Sequence, residues 1–298
     1  MIRPVHFCFN AETAVNNAFQ TDGADEHVQE KAMAEFDNFV KMLRNNGVDI
    51  TVIDDQPEPH TPDSIFPNNW ISFHQNGTIC LYPMYAPNRR MERRSDILQI
   101  LSEKFAVRKT LDLSFYEKEE LFLEGTGSMV LDRKKHIAYA CLSPRTNKKV
   151  LQDFCEHMGY LSECFTAVDA NDLAIYHTNV MMCVADKYIV ICLDCLPSGE
   201  EREHIQSVIE NSGKETIPIT LEQMNQFAGN MLQLRNDKDE KLLVMSTRAY
   251  SSLTPAQIGR LQSFNRIIHS PLDAIETHGG GSARCMMAEI HLPVREDA

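Results

Sequence analysis

The chain has 298 residues, 43% of them hydrophobic and 24% charged, with a formal net charge of −13. That length holds one large domain or two small ones with a substantial core, and the composition is that of a globular protein. The acidity, with no long Lys/Arg cluster, argues against a nucleic-acid partner, because neutralising phosphates needs a basic face.

The start, "MIRPVHFCFNAETAV", has no apolar core of signal-peptide length behind a basic stretch, so a cytoplasmic protein is expected. A helix is expected around Glu26 to Asn45. "WISFH" and "TICLYP" (Trp70 to His74, Thr78 to Pro83) then read as a hairpin turning at Asn76-Gly77. A helix from Arg89 to Glu103 follows. The hairpin plan repeats over Ser128 to Leu142, before a helix from Thr146 to Met158, and again over Asn179 to Leu193, before a helix from Gly199 to Asn211. The last helix, Thr254 to Ser263, opens with Thr254 as N-cap and Pro255 at its first position. No linker or low-complexity segment divides the chain, so residues 1–298 read as one domain. Hairpin, helix and strand recur at even intervals, which predicts α/β ββαβ units arranged radially rather than a doubly wound sheet.

The longest apolar runs, such as "YIVICL" at Tyr188 to Leu193, are strand-length and far too short to span a bilayer, so no membrane partner is expected. Nine cysteines are an odd number in a large chain with mostly apolar surroundings, and they read as free thiols rather than a disulfide framework. "CLDC" at Cys192 to Cys195 is a lone C-x-x-C without a second pair, and the histidines show no metal-binding spacing.

Chemistry-bearing residues gather at the ends of the predicted strands. Asp63, Asn68 and Asn69 precede the first hairpin, and Glu124 sits between an apolar run and "GTG". Arg145 follows a strand, His177-Thr178-Asn179 separates two apolar runs, and Cys285 follows "GGGSAR", with "CMMAEI" expected to begin a strand. Taken alone, His177 reads as a hydrogen-bonded strand-edge histidine, Glu124 as an exposed loop acid and Cys285 as a packed thiol. In a radial fold, all of these strand ends would meet at the centre.

That combination resembles the guanidino-group-modifying superfamily, the pentein fold of arginine deiminases, dimethylarginine hydrolases and amidinotransferases. The motifs fall in the family's order: Asp63 to Asn69, "PNRRMERR" (Pro87 to Arg94), Glu124-Gly125-Thr126-Gly127, His177 and Cys285. The segments "RPVHFCFN", "FPNNW" and "HTNV" look most similar to the amidinotransferase-like group named for citrulline utilisation. The resemblance implies a pentein α/β-propeller with pseudo-five-fold ββαβ repeats and a central active site. It also implies a cofactor-free, metal-free hydrolase that cleaves a C–N bond of a small guanidino or ureido compound. In that reading Cys285 attacks the trigonal carbon, and His177 protonates the leaving amine and then activates water. Glu124 binds substrate nitrogens and holds the His charge, and Asp63 binds another part of the substrate. Arg145, with Arg89 or Arg90, would hold a carboxylate in the bidentate geometry of a guanidinium.

The departures from the pattern bear on the substrate. Arginine deiminases clamp the guanidinium with two aspartates, and here those places hold Asn69 and Asn179, while Gly127 replaces the acid that closes E-G-G-D. An amide both donates and accepts, which suits a ureido group better than a carboxylate pair does. Two alternatives stay open: an amidinotransferase that hands the amidino group to an amine, and a non-catalytic pentein binding module. Nothing in the sequence demands an oligomer, and a homodimer stays open.

Overall fold

In the computed structural model, which describes residues 1–21 and 27–295, β1 (Ile2–Arg3) pairs in parallel with β2 (Ile53–Asp54). Between them runs the helix Val28–Asn45, whose Ala32, Phe36, Phe39, Val40 and Leu43 form one buried stripe at helical spacing. Glu26, the expected start of this helix, lies outside the described residues.

Four complete ββαβ units follow. In the first, β3 (Ile71–Phe73) pairs antiparallel with β4 (Thr78–Leu81), in the register Ile71 with Leu81 and Phe73 with Ile79. The turn relies on Gly77 at φ +84° and on the Asn76 side chain, which accepts from the Thr78 N–H at 3.0 Å. The chain then crosses over through the helix Ser95–Lys104 to β5 (Lys109–Asp112), which pairs in parallel with β4. The second unit is β6 (Val130–Asp132), β7 (Ile137–Cys141), the helix Lys148–Met158 and β8 (Leu161–Phe165). In the third, β9 (Met182–Val184) and β10 (Tyr188–Ile191) precede the helix Gly199–Asn211 and β11 (Glu215–Pro218). The fourth joins β12 (Leu232–Arg235), β13 (Lys241–Ser246), the helix Pro255–Gln262 and β14 (Arg266–Ser270).

Each of these four sheets has the hairpin's second strand in the middle, antiparallel to one neighbour and parallel to the other. The middle strands β7 and β10 are buried along their whole length, as central strands covered on both faces should be. The first strands, β6, β9 and β12, approach one another around a central channel. With the reduced β1–helix–β2 unit, the architecture is a five-unit α/β-propeller.

Three sequence expectations need correction. The helix expected from Arg89 to Glu103 breaks into Pro87–Arg90 and Ser95–Lys104. Arg94, at φ −85° and ψ 123°, is extended and separates the two helices, and its guanidinium donates to Asp96. The helix expected from Thr146 starts at Lys148, because the Asn147 side chain caps the Lys149 N–H at 2.9 Å. The strand expected from Cys285 is absent. Its N–H instead closes a turn on the Ser282 carbonyl at 2.9 Å, and the Met287 N–H closes another on Arg284.

All nine cysteines are free thiols, and among the described residues no group of His, Cys, Asp and Glu is arranged to hold a metal ion. Among the same residues no helix is long and apolar enough to cross a membrane.

Phe39 is fully buried in the single helix that completes the fifth unit, packed with Phe7, Phe36 and Leu43. Phe39→Ala should therefore destabilise the protein by about 3–5 kcal/mol, seen as a lower urea midpoint with an unchanged m-value.

Candidate active site

One narrow pocket opens at the ends where the chain enters the inner strands, and it gathers side chains from the first three units and from the segments before and after the four. Its lining includes Asp63, Asn69, Arg145, His177 and Cys285, with Gly279 to Gly281 on one wall. The centre is a buried charge cluster. The Glu124 carboxylate is fully inaccessible, accepting from the Tyr85 N–H at 2.9 Å and from His177 Nε2 at 2.7 Å, with Arg145 Nη1 at 3.5 Å. Burial alone would raise its pKa, but Arg145, His177 and Arg89 hold it well below the usual carboxylate range. An ionised carboxylate only accepts, so Nε2 of the neutral imidazole carries the hydrogen and Nδ1 is the basic nitrogen. The expectation of an exposed loop acid at Glu124 is overturned.

His177 responds to the same burial in the opposite sense. Desolvation lowers its pKa from 6.5 to about 4, outweighing the neighbouring Glu124, which raises it. Gly127 makes room for this ring: a Cβ there would lie 2.7 Å from His177 Nδ1 and 2.4 Å from Asn69 Nδ2. The residue that replaces the family's acid is thus a steric requirement of the site.

Cys285 is 3% exposed, and two amide donors reach its sulfur: Asn179 Nδ2 at 3.4 Å and Asn230 Nδ2 at 3.3 Å. Asn230 is the clamp here. Its Nδ2 also donates to the Asn179 carbonyl at 2.9 Å, and its Oδ1 accepts from the Arg284 N–H at 3.0 Å. The glycine loop is held just as firmly. Gly280 adopts φ +62°, and its carbonyl accepts from the Tyr176 hydroxyl at 2.5 Å, while Ser282 donates to Glu276 at 2.6 Å. A Cβ on Gly279 or Gly281 would come within 2.9 Å of the Phe66 ring, so these two glycines serve the packing of the loop.

Two buried acceptors have no partner. Asp63 Oδ2 takes hydrogen bonds from Asn10 at 2.8 Å and Thr13 at 3.0 Å, yet its Oδ1 takes none, and Asn179 Oδ1 is equally alone. Burying a polar atom without a partner is costly, so a pair of such acceptors beside the sulfur marks a place prepared for N–H donors.

The arginines depart from expectation. Arg89 is 2% exposed, but its fork already grips Glu92 at 2.8 and 2.9 Å and donates to Asn69 Oδ1 at 2.9 Å. Arg90 does not line the pocket: it donates to the Met84 and Tyr85 carbonyls and lies over Phe122. Neither presents a free fork to a substrate carboxylate, because internal acceptors claimed them during folding. Arg145 lines the pocket over Tyr176, with Nε and Nη2 committed to Asn16 and Thr13 and Nη1 turned towards Glu124. Asn68 lies behind the pocket, donating to Thr126 and accepting from Asn69.

Sequence reasoning did not find Asn10, Thr13, Asn16 and Asn17, which wrap the N-terminal segment over the pocket, nor Glu92, Tyr176 and Asn230. Their signal is weak, because single asparagines in short loops are the common currency of turns. Only "FCFN" had drawn attention to Asn10.

A family model described as N,N dimethylarginine dimethylhydrolase, eukaryotic, matches residues 3–292. No curated protein matches the chain. An arginine dihydrolase from the ornithine–ammonia cycle in cyanobacteria shares the fold with a TM-score of 0.77 at 15% identity, covering 100% of this chain and 41% of that one. The chain thus spans less than half of that enzyme. The N-terminal domain of the same enzyme, bound to substrate, has a TM-score of 0.75 at 15% identity, with 96% and 95% coverage. A dimethylarginine dimethylaminohydrolase adduct with 4-chloro-2-hydroxymethylpyridine has a TM-score of 0.64 at 16% identity and covers 96% of each chain. At these identities the likeness is one of fold.

The pKa of His177 is open to measurement. Because its folded value of about 4 lies below the ordinary 6.5, the folded chain binds fewer protons here between those values. This site's contribution to stability is therefore lost as pH falls through that window. An NMR titration should show the His177 ring neutral from pH 8 down to about 5. In Glu124→Gln its midpoint should move lower still, since the partner that favours the charged ring is gone.

Proposed function

Because the chain belongs to the eukaryotic N,N-dimethylarginine dimethylhydrolase family, guanidino-modifying enzymes of the pentein fold, we propose that it hydrolyses a C–N bond at the guanidino carbon of an arginine-like amino acid. The whole chain acts as one catalytic unit with Cys285 as nucleophile. The observation that carries this reading is one pocket lined by Cys285, His177 and Asp63 with its unpartnered Oδ1, with Glu124 bonded to His177 and Asn179 to the sulfur behind them.

The steps follow from the protonation states. Neutral His177 takes the thiol proton at Nδ1, and the resulting imidazolium is stabilised by Glu124 at 2.7 Å. The Cys285 thiolate, steadied by the amides of Asn179 and Asn230, adds to the trigonal carbon. The imidazolium returns its proton to the departing amine, the C–N bond breaks, and an S-alkylthiouronium remains on Cys285. His177 then takes a proton from water, the hydroxide adds to the same carbon, and collapse of the adduct frees the ureido product and the thiolate. Asp63 Oδ1 receives N–H donors of the substrate.

Asn69 and Asn179 extend the reading to the ureido product. A site with amides at these places has no carboxylate clamp that insists on a cation, and the Asn179 amide offers both a donor and an acceptor. A ureido carbon can therefore be attacked by the same thiolate, as a second turnover. The solved cyanobacterial relative is itself named an arginine dihydrolase.

The test is a panel of arginine, methylarginines, agmatine, citrulline and guanidinoacetate, with amine, ammonia and ureido products followed by mass spectrometry. Arginine-type substrates should turn over, with citrulline also consumed. Cys285→Ser should lower kcat by at least about a thousand-fold. His177→Ala should lose turnover to a similar extent without building up an adduct on Cys285, because the same imidazole deprotonates the thiol and protonates the leaving amine. Full activity of Cys285→Ser would overturn the mechanism, and inert citrulline would overturn the inference from the two asparagines.

A further inference from the structure

The active pocket occupies only one end of the central channel. Asn69, Glu124, His177 and Asn230 precede β3, β6, β9 and β12, and Cys285 follows Arg284 directly. A second cavity of about 780 Å3 is lined by those strands and by the residues that leave them, including Gln75, Arg133, Asp186, Arg235 and His291. It therefore lies at the opposite end. Its size falls within the roughly 300–1,000 Å3 of small-molecule sites.

Two features of this cavity point to a ligand. Its walls combine an aliphatic part, from Leu131, Val184, Leu232, Met287 and Ile290, with a polar and charged part. Set into them are two guanidinium groups with poor partners. Arg284 is 5% exposed, yet among the described residues its guanidinium meets only the Met287 carbonyl at 3.5 Å and Glu289 at 4.0 Å. Arg133 makes no ion pair among the described residues and touches His74 Nδ1 at 3.4 Å, a ring that burial keeps neutral by lowering its pKa to about 3. The other cations here are paired: Lys214 with Asp132 at 3.3 Å, and Lys134 with Asp186. His291 Nε2 is buried without a hydrogen bond, 3.4 Å from Glu289 Oε1. Arg284 thus has only the distant carboxylate of Glu289, and Arg133 has no carboxylate partner among the described residues, which leaves the cluster short of negative charge. A buried guanidinium without a well-placed acceptor is an unfavourable arrangement that a carboxylate would relieve.

We propose that this cavity binds an organic carboxylate, with its charged head on Arg284 and Arg133 and its apolar body against Leu131, Val184 and Leu232. The site stands apart from the reacting pocket and does not depend on the chemistry assigned to Cys285. The two are back to back all the same, since the Arg284 side chain faces the cavity while its N–H holds Asn230 beside the sulfur.

Octanoate is the probe, titrated calorimetrically into the full chain. Saturable binding is expected, equal in Cys285→Ala and unaffected by saturating arginine. Arg133→Gln and Arg284→Gln should each weaken it about ten-fold or more, as loss of a charge-assisted bond predicts. Leu131→Trp should weaken it by filling the apolar end, and Arg133→Gln should leave basal turnover unchanged. If Arg284→Gln fails to fold, Arg133→Gln and Leu131→Trp carry the test. The proposal is overturned if octanoate does not saturate, if arginine displaces it, or if the folded variants bind it as the native chain does. Binding of 1-octanol with equal affinity would remove the role of the arginines, and binding of acetate or inorganic phosphate with equal affinity would remove that of the apolar wall.

Discussion

The Glu124 carboxylate, charged and cut off from water, is the constraint on which the rest of the centre depends. A carboxylate at that depth is tolerable only with cations and N–H donors around it, and removing one partner from such a buried pair costs about 3–5 kcal/mol. Arg145 and His177 come from the second and third units and the Tyr85 N–H from the first, so satisfying one side chain ties three units together. The same cluster sets the chemistry. It keeps the acid ionised, orients the imidazole and leaves Nδ1 as the nitrogen that moves protons.

A second buried pair sits beside it. Arg89 and Glu92, both almost inaccessible, pair across the short helix Pro87–Arg90 and the turn that follows it. Arg89 then holds Asn69 by its carbonyl oxygen, which fixes the amide that faces Gly127. An arginine that looks like a substrate ligand in sequence is here a scaffold for one. The unpartnered oxygens of Asp63 and Asn179 are left as the acceptors that the protein itself does not use.

Asn230 joins the two ends of the channel. It bonds the Cys285 sulfur, the Asn179 backbone and the Arg284 N–H, so the thiol, its neighbouring amide and the turn that leads to the second cavity form one rigid unit. The propeller explains this economy. Each unit sends the entry of its first strand to one end and the exit to the other, which produces two clusters of side chains from a single arrangement.

Some of this was legible in the sequence because it depends on neighbours along the chain. Apolar alternation around Asn76-Gly77, the Thr254-Pro255 cap and the buried stripe of Val28–Asn45 are local patterns, and the hairpins and helices formed where those patterns lie. The order of Asp63, Glu124, His177 and Cys285 was legible too, since strand ends in a radial fold converge. Other features depended on partners far away in the chain. Arg89 and Arg145 each carry the same charge in sequence, and only packing decided that Glu92 claims the first while Asn16 and Thr13 hold the second. Asn230 gives no signal at all until Cys285 comes within 3.3 Å of it. Local periodicity and turn chemistry determined the elements. Tertiary structure decided which buried polar groups pair with one another and which stay free for a ligand, because pairing is settled by distances the linear chain does not contain.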